Sequence, residues 1–248
     1  MTIQNNTRIY IVLDVFVKNT SPIIHVASVM SDTAGLIAEC EALLEKDKFQ
    51  EVYDKLDGAK DMDLELMSLF ARTVRFMEKE HWIERGVEVM KEAIEKYPND
   101  CLSNIWYGIM LNVKSKEAGV NERIKLGYEI RDYFEKGLKA DPQSFIGNHC
   151  MGTWCYEVAS LNKVARAFAT AFFKKPPSSS FDDALEYFKA AQNIDSNHML
   201  NMCRLAQCYD KMGKNAEAKE WALKAIALPP RDSEMEEALK ECKHIASK

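Results

Sequence analysis

Two stretches near the end of this 248-residue chain carry one skeleton at a fixed interval: Ala184, Ala191 and Ser196 return 34 residues later as Ala218, Ala225 and Pro230. A small residue, a second one seven positions on and a stop five beyond that describe a helix that packs closely on a neighbour and then ends. A unit of this length holds two short helices, neither of which can bury its apolar face alone, so units must stack.

The skeleton occurs twice earlier, as Gly86, Met90, Ala93 and Pro98 and as Ile130, Phe134, Gly137 and Pro142; Phe188 and Ala222 fill the second slot in the later copies. Small residues let two helices cross without a side chain forcing them apart. Proline stops a helix by removing a donor and restricting the residue before it. Each closing helix is preceded by an opening helix with a large residue beside a small one: Phe70-Ala71, Tyr107-Gly108, Met151-Gly152 and Leu205-Ala206, followed three positions on by Val74, Leu111, Cys155 and Tyr209. This alternation resembles tetratricopeptide repeats. It predicts an all-α chain, a tetratricopeptide-like α-solenoid of helical hairpins with two insertions and a C-terminal capping helix, forming a single domain over residues 31–248 behind an N-terminal tail at 1–30. Composition agrees: only 10 Gly and 7 Pro leave room for few tight turns, and long runs of Ala, Leu, Glu and Lys favour helix.

Local signals place the boundaries. Asp32 reads as the cap of a helix through Leu36, Ile37, Cys40, Leu43 and Leu44 to about Lys46, and Asp61-Met62-Asp63 begins a later one. The stops Pro98, Pro142, Ser196 and Pro230 lie 44, 54 and 34 residues apart, so the middle units carry about 10 and 20 extra residues. The first excess, near Val113 to Arg123, reads as a basic loop; the second lengthens a helix from about Phe145 to Phe173. That helix should break at Lys174-Lys175-Pro176-Pro177 and Ser178-Ser179-Ser180, before a start at Asp182-Asp183. A last helix runs from Asp232-Ser233 to about Ala246 and should cover the end of the stack.

Charge and chemistry narrow the function. A net charge of -5 argues against a general nucleic-acid binder, and the apolar run from Ile9 to Val17, broken by Asp14, is far short of the roughly 20 residues that cross a bilayer. Seven cysteines, an odd number scattered through helices, fit a reducing compartment and buried packing without disulfides. Cys150 and Cys155 beside His149, and Cys203 and Cys208 near His198, raise a metal reading. Residues five apart on a helix point in different directions, so packing is the plainer reading, and no metal or cofactor is expected. The dispersed glycines form no phosphate loop, and His81 beside Trp82 has no nucleophile in a recognisable motif. A non-enzymatic protein is expected.

A more specific resemblance rests on Gly152-Thr153-Trp154-Cys155-Tyr156-Glu157-Val158-Ala159, Lys175-Pro176-Pro177-Ser178, Ala184-Leu185-Glu186-Tyr187-Phe188 and Ile194-Asp195, with Trp106-Tyr107-Gly108-Ile109 and Ala216-Glu217-Ala218-Lys219-Glu220-Trp221. Over residues 32–230 the chain resembles the regulator of microtubule dynamics family. The resemblance implies a protein that associates with tubulin and microtubules, regulating their dynamics, with spindle-pole and chromosome-segregation roles for some members. Other members carry a membrane anchor ahead of a similar helical domain and use it in lipid binding and organelle tethering. The chain departs from these in having no membrane span before its repeats, and from the repeat pattern in having Ser196 where a proline closes a unit, which should loosen that turn.

Two sets of residues follow as candidates. Tubulin's surface is acidic, so a chain of net charge -5 must meet it through local clusters: Lys114, Lys116, Arg123 and Lys125, or Lys163, Arg166, Lys174 and Lys175. Ordinary solvated surface is the plainer reading of each cluster. Stacked opening helices would also line a concave groove with Leu102, Ile105, Ile109, Ile146, His149, Tyr156 and Leu200, suited to a hydrophobic helix or a phospholipid unless the chain's own helices fill it. A carboxylate clamp is disfavoured, because the matching positions hold Ser68, Arg72, Trp106, Ile109, Ile146 and Cys150. Cytoplasmic, cytoskeletal placement at the spindle is the corresponding expectation.

Overall fold

The computed structural model describes residues 29–59, 62–77, 80–161, 178–230 and 233–248, which form eleven helices and no strands among the described residues. They fall into two compact units, residues 29–142 and Gln143–Lys248. The first contains α1 (Val29–Leu44), α2 (Phe49–Asp57), α3 (Leu64–Phe76), α4 (Glu80–Lys96), α5 (Cys101–Ser115) and α6 (Val120–Ala140); the second contains α7 (Phe145–Ser160), α8 (Phe181–Ile194), α9 (Met199–Lys211), α10 (Asn215–Ile226) and α11 (Ser233–Ala246). Within each unit, sequential helices pair as hairpins, α3 with α4 and α5 with α6, then α7 with α8 and α9 with α10. Opening helices also meet one another, α3 with α5 in the first unit and α9 with both α7 and α11 in the second.

Helix starts follow local chemistry. The Asp63 carboxylate accepts from the Leu66 amide at 3.0 Å, and Asp100 accepts from Leu102 and Ser103 at 2.7 and 3.4 Å. At α8 the Ser180 hydroxyl accepts from the Asp183 amide at 3.1 Å while Asp183 Oδ2 accepts from the Ser180 amide at 2.8 Å, a reciprocal capping box. These contacts satisfy amides that have no partner within the helix. Helices α4, α6 and α8 each stop two residues before Pro98, Pro142 and Ser196. The turn at Ser196 is closed without proline, because Gln192 donates its side-chain amide to the Ser196 carbonyl at 2.6 Å.

Three boundaries differ from expectation. The described part of helix α1 already includes Val29 to Ser31, so Asp32 lies within the helix and not at its cap. The first insertion is not a loop: α5 runs to Ser115, α6 starts at Val120, and the added length sits in α6, which has 21 residues. The helix expected from Phe145 to Phe173 ends at Ser160, because Leu161 has φ -57 and ψ 125, outside the helical region. The remainder of that expected helix and the Lys174-Lys175-Pro176-Pro177 breaker lie outside the described residues.

Close approach explains the small residues. A methyl group on Gly108 of α5 would stand 2.6 Å from Phe134 Cε1 of α6, and one on Gly152 of α7 would stand 2.7 Å from Phe188 Cδ1 of α8. The same would happen at Gly137 against Ile105 Cδ1, at 2.6 Å, and at Gly86 against Val74 Cγ2 and Met110 Cε, at 2.5 and 2.6 Å. Phe134 and Phe188 are fully buried, and each ring contributes about 2–3 kcal/mol of apolar transfer. Two tight turns share a further design: Lys48 N donates to Leu43 O after α1, and Lys214 N donates to Tyr209 O after α9, each closing a six-residue reversal. Gly213 takes its left-handed position at φ 72 without strain, whereas the first turn places Asp47 there at φ 54.

Gly152→Ala should destabilise the protein by about 1 kcal/mol in chemical denaturation, because overpacking against the immobile Phe188 ring exceeds the gain in helix propensity. Gly127→Ala, where a methyl meets nothing within 4 Å, should instead stabilise by about 0.5–1 kcal/mol. The capping box gives a pH dependence. The Asp183 carboxyl is held below its ordinary value chiefly by the Ser180 side chain and then by the Ser180 backbone amide. A lowered carboxylate pKa contributes stability that is complete above the unfolded-state value and is lost as pH falls through the folded one. The stability difference between wild type and Asp183→Asn should therefore shrink on acidification, measured as urea midpoints across the carboxylate range.

Candidate binding surfaces

The first basic cluster is built around the link between α5 and α6. The last carbonyls of a helix lack intrahelical partners and attract cations. Arg123 meets that need: its Nε donates to Ser115 O at 3.1 Å and Nη2 to Lys116 O at 2.7 Å. Its guanidinium is thus committed to tying the start of α6 to the end of α5. Lys114 near the end of α5, Lys116 in the link and Lys125 in α6 are all exposed, whereas the fourth cation, Arg123, has a structural task. The second cluster, Lys163, Arg166, Lys174 and Lys175, lies outside the described residues.

The apolar candidates occupy a different place from the one expected. Ile105 and Ile109 are fully buried, and Ile146, His149, Tyr156 and Leu200 are 5%, 1%, 7% and 4% exposed; Leu102 alone among the seven is half-buried. Ile105 turns its Cδ1 onto Gly137 of α6, within its own hairpin. Tyr156 lies 5.6 Å from the Phe181 ring, and burial pushes its phenol well above the ordinary range. These side chains are core, and the open apolar groove is corrected accordingly. The reason is geometric: a step of about 100° per residue puts neighbouring positions of an opening helix against its own closing helix, and periodicity alone does not say which row faces out.

His149 has a defined role in that core. Asn201 of α9 donates its amide to Phe188 O and to Gln192 Oε1, each at 2.9 Å, which turns Asn201 Oδ1 toward His149 Nδ1 at 3.0 Å. An amide oxygen only accepts, so Nδ1 carries the proton and donates. One side-chain amide thereby joins α7, α8 and α9. Cys150 and Cys155 are buried in the same unit, and no group of three or more His, Cys, Asp or Glu is gathered to hold a metal ion among the described residues.

Sequence reasoning missed a polar network across α7, α9 and α11. Arg204 Nη1 lies 4.0 Å from Glu157 Oε1 and donates to Gln207 Oε1 at 3.0 Å, while Gln207 Nε2 donates to Glu241 Oε2 at 2.7 Å. Burial raises the Glu157 carboxyl, and Arg204 partly offsets it. Gln207 and Glu241 are 34 positions apart, so the repeat period itself signalled that these side chains would face each other on successive opening helices. Nearer the chain end, Lys248 Nζ reaches Asp210 Oδ1 at 2.7 Å.

Comparison with known proteins fits this architecture. A thermophilic TPR protein of Thermus thermophilus superposes with a TM-score of 0.63 at 15% identity, over 85% of this chain and 98% of that one. The type IV pilus biogenesis factor PilW gives 0.54 at 15% identity, over 90% of each chain. At these identities the likeness is one of fold, and the chain is all-α and tetratricopeptide-like. Regulator of microtubule dynamics protein 1 of Bos taurus is 28% identical over 223 residues, covering 86% of this chain and 70% of that protein. Its Homo sapiens counterpart is 32% identical over 158 residues, covering 63% and 50%. Regulator of microtubule dynamics protein 3 of Rattus norvegicus is 29% identical over 175 residues, covering 69% of this chain and 37% of that protein. Residues 36–248 match the profile described as Regulator of microtubule dynamics protein 1-3, and the chain belongs to that family.

Proposed function

We propose that this protein is a non-enzymatic microtubule-associated scaffold that regulates microtubule dynamics, and that Lys114, Lys116 and Lys125 at the α5–α6 turn meet the acidic tubulin surface. The family supports the microtubule-related role, because its members are named for it. The observation that carries the residue assignment is the exposure of three lysines in and beside the α5–α6 link, where the arginine is already committed to helix capping. With a net charge of -5, attraction must be local and must weaken as salt screens it over about 8–10 Å. The role extends to the spindle and to chromosome segregation in the cytoplasm, with Lys163, Arg166, Lys174 and Lys175 as a second contact. Capture of a phospholipid or a hydrophobic helix by the apolar candidates has weaker support, since six of those seven side chains are buried and only Leu102 keeps partial exposure.

Co-sedimentation with taxol-stabilised microtubules tests the assignment. The wild-type chain should pellet at low ionic strength and progressively less as salt rises, and K114E/K116E/K125E should weaken apparent affinity by roughly tenfold. Failure of the wild type to pellet at low salt removes microtubule binding by this chain. Pelleting that survives the triple reversal but is lost with K163E/R166E/K174E/K175E moves the contact to the second cluster, and flotation with anionic liposomes instead of pelleting favours the lipid reading.

A further inference from the structure

The thiols of Cys203 on α9 and Cys242 on α11 lie side by side in the second unit. Both are buried, 1% and 0% exposed, and Cys242 Sγ is 2.9 Å from Cys203 Sγ. A disulfide needs a separation of about 2.05 Å, so bond formation asks for less than about 1 Å of closure, within the reach of small side-chain adjustments. The two residues sit on different helices, and the closed loop would span a sequence separation of 39, long enough to remove much freedom from the unfolded chain.

Helix α11 packs on α9 and α10. Its docking rests on the buried Met235, Leu239 and Ile245 beside Cys242, with the Gln207–Glu241 and Lys248–Asp210 contacts toward its C-terminal end. Local opening of one docked helix needs less free energy than unfolding of the whole unit.

We propose that Cys203 and Cys242 form a reversible thiol–disulfide site, in which a low-molecular-weight disulfide of the glutathione class converts the docked α11 into a covalently locked one. When α11 opens, the Cys242 thiol loses its proton to solvent. The thiolate attacks one sulfur of the oxidant, breaking its S–S bond, forming a mixed disulfide and releasing one thiolate. As α11 returns, the deprotonated Cys203 sulfur attacks Cys242 Sγ, forms the Cys203–Cys242 bond and expels the second small thiolate. Two protein thiols are oxidised, the oxidant is reduced to two thiols, and the two protons from the cysteines end on them. In the closed state the Cys203 thiol is pushed up, first by its hydrogen bond with Cys242 and then by burial, and both sulfurs are shielded from solvent, which leaves helix opening in control of the rate.

The test uses the full-length chain in a series of reduced and oxidised glutathione mixtures, with acid quenching, alkylation and peptide mapping. A Cys203–Cys242 cross-linked peptide is expected, together with a higher melting temperature that returns to the starting value on treatment with dithiothreitol. Cys203→Ser and Cys242→Ser should each stop at a mixed disulfide and show no rise. Lys248→Ala, which removes the ion pair to Asp210 and leaves both thiols intact, should speed cross-linking by up to about fivefold. If wild-type chain yields no Cys203–Cys242 peptide while the half-buried Cys101 is glutathionylated in the same mixture, or if the cross-link forms without raising the melting temperature, the proposal is wrong.

Discussion

The packing of this protein depends on a phenylalanine ring from a closing helix seated on a glycine of its opening helix. Phe134 rests on Gly108, and Phe188 rests on Gly152, with no space for a methyl group between them. Without a Cβ the two backbones approach closely enough to bury both ring and helix face, which is where most of the apolar stabilisation of a hairpin is gained. The two glycines are 44 positions apart while the two rings are 54 apart, so the second hairpin carries ten more residues than the first between its contact points. In sequence that extra length falls between α7 and α8, and the same knob is kept. Chain can be added to a repeat wherever it does not pass through this contact.

Such close packing leaves polar groups in the interior, and several of them are matched to one another. The Asn201 amide, bonded to His149, Gln192 and Phe188 O, joins three helices. A buried donor or acceptor left unmatched costs more than the bond itself contributes, so this network favours one register of α7, α8 and α9 over its neighbours. The Arg204, Gln207 and Glu241 chain does the same from α9 to α11 at a partly exposed face. His149 and the cysteines around it, which in a linear reading invite a metal, belong to this interior.

The surface follows a different logic. The net charge is negative, and the proposed tubulin contact therefore rests on position: three exposed lysines lie in or beside the α5–α6 link while Arg123 donates to the Ser115 and Lys116 carbonyls. A count of basic residues overstates such a patch, because a guanidinium that caps a helix contributes order to the turn more than reach to a partner.

Much of this architecture is legible in the linear order of residues. The recurrence of small residues and stops follows directly from how closely two helices must cross, so Gly86, Gly108, Gly137 and Gly152 mark their contacts, and Asp63 and Asp182-Asp183 mark helix starts, while the Ser180 cap two residues earlier read only as part of a breaker. What periodicity does not assign is direction. Ile105, Ile109, Ile146 and Leu200 read as a groove and are core, since a helical repeat specifies spacing around an axis while only the partner helix decides which row is covered. Likewise Arg123 counts as a free charge until the end of α5 is brought to it, and Cys203 and Cys242, unrelated in sequence, become neighbours only when α11 docks on α9. Helix content, hairpin pairing and family follow from the linear sequence, because those rest on local propensity and period, although three helix boundaries do not. Tertiary structure decided which residues are surface and which thiols meet, because burial and long-range proximity are properties of the packed chain.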